Sequence, residues 1–257
     1  MSALAIPTLL EESKCYACFA PEDVPSLAKL SLLTRISQLS RDIEFSLLGT
    51  SLANAFSGTV QVMVAPEPNC LLLFFFCGSQ ELETPTVTVA GLGLTWVLVQ
   101  QGNDIGGIPS IQAVYRAMAT TPVAPGLVAA TFTNPFAADE VICSLVQFKN
   151  VDTSGTNGSG AVVQSAQATG ASGNANVALA AITPTGKNAT VEFSTNTMLP
   201  YDGTAEAGWT EDFDSGCVNV NIDGMFVGHK LLSLDNTCSI TSAVTNWWIA
   251  GLEIKAQ

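Results

Sequence analysis

The apolar run Leu71–Leu72–Leu73–Phe74–Phe75–Phe76 lies between Pro68–Asn69 and Gly78–Ser79. It is far shorter than the roughly eighteen residues a membrane helix needs, and between turn residues it predicts a strand buried on both faces. Thr86–Val89 and Leu94–Val99 follow at strand length, with Gly91–Leu92–Gly93 as the turn. Together they predict the central ladder of a β-sandwich. Upstream, Thr59–Val64 alternates until Pro66 and Pro68 break the pattern. Downstream, Ser110–Met118 alternates, with Ile111, Ala113, Tyr115 and Ala117 on one face and Gln112, Val114 and Arg116 on the other. Further strands are expected over 127–132, 141–148, 161–164, 177–182, 190–193, 218–222 and 247–254. The last is expected to close the fold as a central strand near the first. Turn clusters separate these segments, and Asp152–Gly160 reads as a flexible loop. Short strands recurring between turn clusters indicate an all-β sandwich or barrel.

The start of the chain follows a different period. Leu27, Leu30, Leu33, Ile36, Leu39 and Ile43 recur mostly every third or fourth residue, with Lys29, Arg35, Gln38, Arg41 and Asp42 between them. Ser26 stands ahead as a candidate cap, after Pro21–Glu22–Asp23. This predicts an amphipathic helix over about 26–45. Phe45–Ser57 then reads as a small-residue connection. Two parts are therefore expected: residues 1–57 as a helical docking or oligomerisation segment, and 58–257 as the β-sandwich. A lone apolar stripe needs a partner: the sandwich, other copies of the chain or another protein.

Composition narrows the function classes. With 47% hydrophobic and 12% charged residues, the chain reads as globular rather than disordered. A net charge of −13, with nine Lys and Arg scattered singly, offers no basic stripe for phosphates, so no nucleic-acid partner is expected. No membrane span is expected either. The first residues lack a basic stretch and their apolar part is broken by Pro7 and ended by Glu11–Glu12, so export by the general secretory route is not expected.

Candidate chemistry is sparse. Cys70, Cys77 and Cys143 sit in apolar strands and read as small buried hydrophobes. The spacing Cys15–Tyr16–Ala17–Cys18 admits packing, a redox pair, half a zinc site or a cross-link between subunits. Zinc needs about four ligands, yet His229 is the one histidine and no second C-x-x-C exists. A redox pair would want a thioredoxin-like βαβ context, which the pattern lacks, so packing and an intersubunit cross-link remain. His229, in a turn or strand end, would have to serve any Ser–His–Asp or Cys–His site, and no G-x-S-x-G elbow accompanies it. Gly155–Gly160 lacks the Lys–Ser/Thr of a phosphate loop. No cofactor is implied. The densest acidic stretch runs from Glu206 through Trp209, Glu211 and Asp212 to Asp214. Carboxylates beside a tryptophan could hold sugar or calcium, or serve a glycosidase, and the same pattern suits a charged strand edge. Regular alternation would put Asp212 and Asp214 on one face, with Trp209, Glu211 and Phe213 on the other. Trp209, Glu211, Asp212 and Asp214 are the candidate ligand-binding residues.

From about Gln61 to Lys255 the chain resembles the jelly-roll, concanavalin-like modules of bacteriophage structural proteins. The resemblance rests on NCLLLFFFCGSQELETPTVTVAGLGLTWVLVQ, IQAVYRAMA, VICSLVQFKNVDTSG, AVVQSA, VALAAI, AGWTE and WWIAGLEIK in that order. These stretches mark strands and turns rather than a site. The resemblance implies a mostly β, jelly-roll-like antiparallel sandwich with a short N-terminal helical segment. It implies a non-enzymatic virion component, a decoration, neck, fibre or tail-associated protein made in the host cytoplasm. Its expected partners are other virion proteins and other copies of itself, and a surface glycan if it serves adhesion. The alternative is a carbohydrate-binding module or lectin holding sugar at Trp209 and the acidic stretch, with a glycoside hydrolase third.

Overall fold

The computed structural model describes residues 42–53, 59–79, 86–107, 109–132, 140–181, 187–197, 203–216, 223–232, 235–241 and 246–257. They belong to one compact unit, Arg41–Gln257. They are mostly strand, every strand pairing is antiparallel, and the only helical turn among them is a 3-10 turn at Ile105–Gly107. The first eight strands are β1 (Glu44–Ala53), β2 (Thr59–Val64), β3 (Cys70–Ser79), β4 (Val87–Gly91), β5 (Val97–Asn103), β6 (Ser110–Ala119), β7 (Gly126–Phe132) and β8 (Glu140–Lys149). The next eight are β9 (Val162–Gly170), β10 (Ala175–Ala178), β11 (Ala189–Thr197), β12 (Thr204–Ala205), β13 (Thr210–Gly216), β14 (Asp223–Lys230), β15 (Thr237–Thr241) and β16 (Trp247–Ile254).

The second set of eight is wired like the first. Strands β1-β8-β3-β6-β5 form one five-stranded sheet, and β2-β7-β4 a three-stranded one. Read from β9, the other five-stranded sheet runs β9-β16-β11-β14-β13, and its three-stranded companion runs β10-β15-β12. Subtracting eight from each label reproduces the first pair. The chain is thus two halves of one topology, joined through residues 150–161.

Alternation along the central strands shows how the halves stack. On β3, Cys70, Leu72, Phe74 and Phe76 pack with Val60, Val62, Val64 and Val128 of the small first-half sheet. Its other face, Leu71, Leu73, Phe75 and Cys77, packs with Val191 and Phe193 of β11, Val227 of β14 and Trp248 and Leu252 of β16. Phe75 and Phe193 meet there with ring centroids 5.2 Å apart. A third cluster joins Phe226, Trp247 and Ile249 of the second large sheet to Val177, Cys238 and Ile240 of the small second-half sheet. Each large sheet is therefore covered on both faces, which is why the Leu71–Phe76 run carries no polar alternation.

Several expectations change. The strands β3, β4 and β5 do not form one ladder: β3 lies between β8 and β6, β5 is an edge strand, and β4 belongs to the small sheet. Strand β16 is an inner strand, but of the second half, between β11 and β9 rather than near the chain's first strand. Phe45–Ser57 is not a mere connection, because β1 pairs along its length with β8, with a bulge between Leu47 and Gly49. Asp42–Phe45, the last positions of the expected helix, are not helical. Ile43 kept the three-to-four spacing but serves the core between the large sheets instead, and the first β element begins before the expected boundary at residue 58. The rest of that helix lies outside the described residues, as does the expected strand over 218–222.

The connection 152–160 is pinned rather than free. Asp152 N–H donates to Lys255 O, Gln257 N–H to Asn150 O and Lys255 N–H to Ala161 O. Lys255 Nζ lies 2.6 Å from Asp152 Oδ2. The last residues of the chain thus clasp the link between the halves.

Candidate functional site

The acidic stretch lies on β13, at an edge of the second large sheet. Its pairing with β14 shifts register between Glu211 and Phe213, leaving Asp212 as an extra residue in a bulge. Beyond the bulge the alternation is reset. Phe213, opposite Val227, packs toward the core between the large sheets, whereas Asp214 stands opposite Phe226, which faces the small sheet. The expected shared face for Asp212 and Asp214 is therefore not formed. The bulge, which a period-two reading cannot foresee, sends them to different surroundings.

Asp212 turns inward. Its carboxylate contacts His229 Nδ1 at 2.7 and 2.9 Å, and both side chains are buried. Burial pushes the Asp212 carboxyl above its ordinary range, and His229 works in the opposite direction. The imidazole stacks on Phe45 of β1, with centroids 4.0 Å apart and planes 16° from parallel. A strand of the first half and two of the second thus meet at this pair. The partner of the lone histidine was present in the acidic stretch; only the bulge brings them together.

The other candidates diverge. Trp209 is 8% exposed and belongs to the cluster between the second-half sheets with Phe226, Trp247 and Ile240, so its ring offers no open face for stacking a sugar. Asp214 Oδ2 accepts the Gly203 N–H at 3.0 Å. Glu211 is exposed opposite Gly228. Cys15 and Cys18 lie outside the described residues. Cys70, Cys77, Cys143 and Cys238 are buried free thiols, and burial raises Cys70 and Cys143 to about 12, far from a thiolate at neutral pH.

Beside this stretch lies an arrangement the sequence did not announce. The face of β11 toward the small second-half sheet carries Thr190, Glu192, Ser194 and Asn196, all polar and all buried. The side chains of β3 on its corresponding outward face are Cys70, Leu72, Phe74 and Phe76. Glu192 is fully buried, flanked in register by Gly228 of β14 and Gly251 of β16. A Cβ at Gly228 would stand 3.1 Å from Glu192 Oε1, so glycine leaves the carboxyl its space. Burial first, then the Glu206 carboxylate, raise Glu192 to about 8, and the Ser239 N–H only partly offsets them. At neutral pH the group is a buried carboxylic acid.

Nearby, Asp235 takes the opposite course. Burial would raise it, but the Thr237 N–H, the Lys230 ammonium 3.0 Å away and the Trp209 indole hold it below the ordinary range. Among the described residues no three His, Cys, Asp or Glu side chains gather as metal ligands. The polar contacts of this region join strand to strand and sheet to sheet. Comparison with protein-family models, with curated proteins and with solved structures finds no match to this chain.

Proposed function

We propose that this chain is a non-enzymatic structural protein of a virus particle, of the bacteriophage type, built from two jelly rolls in tandem. The observation that carries the reading is the repeated strand order. The order 1-8-3-6 in one sheet and 2-7-4 in the other supports reading each eight-stranded segment as a jelly roll, and jelly rolls recur in viral capsid proteins and lectins. Strand 5 pairs with strand 6 here, at the edge of the larger sheet. Because a fold hosts many functions, the uses of the polar residues matter as well. Asp212–His229, Asp235–Lys230 and Asp152–Lys255 each hold segments together, and doubly covered sheets suit a rigid displayed block. Residues 1–41 supply the assembly segment in this reading.

Light scattering after size exclusion, with electron microscopy, tests it on the full chain and on a version beginning at Asp42, each with and without reductant. Discrete symmetric oligomers that need residues 1–41 are expected. A full chain that stays monomeric at every concentration, and that fails to join purified particles, would refute the reading. Loss of the oligomer on reduction alone would move assembly to a cross-link through Cys15 or Cys18.

A further inference from the structure

The small first-half sheet turns its alternate valines inward onto β3 and β6. The residues between those valines form its outer face. Three rows cross β2 and β7 in register: Thr59–Thr131, Gln61–Ala129 and Met63–Leu127. Strand β4 extends the first two rows with a threonine and an alanine. All these residues are exposed except Ala129, which is half-buried. Neither pairing contains a bulge, so the rows are regular across the sheet.

None of these side chains is charged, in a chain with 22 Asp and Glu, nine Lys and Arg and a net charge of −13. Met63 is 64% exposed, more than any other large apolar side chain among the described residues, and Leu127 beside it is 42% exposed. Neighbouring apolar side chains standing in water on a charge-free face mark a contact surface. The small second-half sheet is different. Its outward Asn176, Ala178, Thr237 and Thr241 are also exposed and uncharged, but none is a large apolar side chain.

We propose that this face meets the same face of a second copy, about a two-fold axis running along β7. Charge selects the occupant. A two-fold contact lays one patch on its own copy, so in this acidic chain a patch bearing carboxylates would oppose its own charge, and this patch opposes none. The rows select the axis. Along β7 it sets Leu127 against Leu127 and the threonine row against itself, whereas an axis across the strands would set leucine against threonine. Three strands of six residues span about 14 Å by 20 Å, or about 280 Å² a copy, against the roughly 800 Å² a copy of a standard interface. The contact is too small to hold a pair alone. It tightens copies already joined, at millimolar effective concentration, and so it rests on the reading in which residues 1–41 drive assembly.

Sedimentation of the full chain over a dilution series tests it, with Leu127→Glu, Leu127→Lys and an equal mixture of the two. Ala178→Glu supplies the same charge on the other small sheet. Each Leu127 variant is expected to come apart at a concentration about tenfold or more above that of the native chain, since like charges then meet on the axis. The mixture should recover part of that loss, and Ala178→Glu should match the native chain. Thermal melting checks that each variant is folded, and Ala129→Glu with Ala129→Lys, also on β7, replaces the pair if those chains misfold. A Leu127→Glu chain that associates like the native one, an equal loss in Ala178→Glu, or a mixture no tighter than its parts would overturn the contact and leave assembly through residues 1–41 standing. A full chain monomeric at every concentration would overturn the contact as well, and whether that chain joins particles decides the particle reading separately.

Discussion

Replacing Glu192 by Gln probes the buried acid on the central strand of the second half. In the folded chain burial raises this carboxyl to about 8 from an ordinary 4.5, and Glu206, Asp235 and Asp212 add to the effect. Below pH 4.5 both folded and unfolded chains hold the proton, so the group does not alter stability. Between 4.5 and 8 the folded state keeps a proton that the unfolded state has released, and stability falls as pH rises. The slope is about 1.4 kcal/mol per pH unit, which makes the loss roughly 3 kcal/mol at neutral pH and about 5 kcal/mol once the folded group has ionised. Above pH 8 this contribution is flat. Glu192→Gln keeps the shape and removes the titration. Urea unfolding of native and variant chains in parallel, from below pH 4.5 to above 8, reads the difference, in which the slopes of groups that do not interact with Glu192 cancel. The variant is expected to match or fall below the native chain at the acid end and to overtake it progressively toward alkaline pH. Curves that stay parallel across the window would refute a protonated Glu192.

Three further perturbations address the packing. Phe193→Ala opens a cavity where the large sheets meet Phe75 and Trp248, and calorimetry or urea unfolding should show a loss of about 3–5 kcal/mol. A loss under about 1 kcal/mol would mean that the halves are not packed through this ring. His229→Leu strands the buried Asp212 carboxyl and should cost on the order of 3 kcal/mol, whereas Asp212→Leu with His229→Leu should recover part of it; a double-variant loss equal to the sum of the two single-variant losses would show the pair to be uncoupled. Asp152→Asn should cost up to about 1 kcal/mol at neutral pH, as expected of a partly exposed ion pair. The Lys255 hydrogen bond, with those from Ser154, holds Asp152 near 2 against an ordinary 3.8. Its stabilisation is therefore present above 3.8 and lost as pH falls through about 2, and chemical unfolding in acid should show native and variant chains converging there.

The parts of the fold readable in the sequence were those with local causes. Leu71–Phe76, Ser110–Met118 and Trp247–Ile254 declared themselves because apolar runs or alternation end at turn residues. Strand β1 was hidden because Ile43 prolongs a three-to-four period, and only its ladder with β8, about a hundred residues away, makes it a strand. Which strands become neighbours is likewise non-local, so β4 and β5 fall in different sheets despite the turn between them. The duplicated wiring left no trace in residue type where it could have been noticed: Leu72 and Phe74 pack outward from β3, where β11 presents Glu192 and Ser194. At the acidic stretch the residues were found but not their arrangement, since one bulge at Asp212 separates side chains that regular alternation would join.

Hydrogen–deuterium exchange, followed along the chain by mass spectrometry, tests most directly the stack of two large sheets, each covered on both faces. Buried core strands exchange near the limit set by global unfolding, and edges exchange faster. The stacked arrangement predicts that β3 and β11 are the slowest segments and exchange at matching rates, with β1, β5, β9 and β13 faster. Slow exchange in β3 beside edge-like exchange in β11 would contradict it.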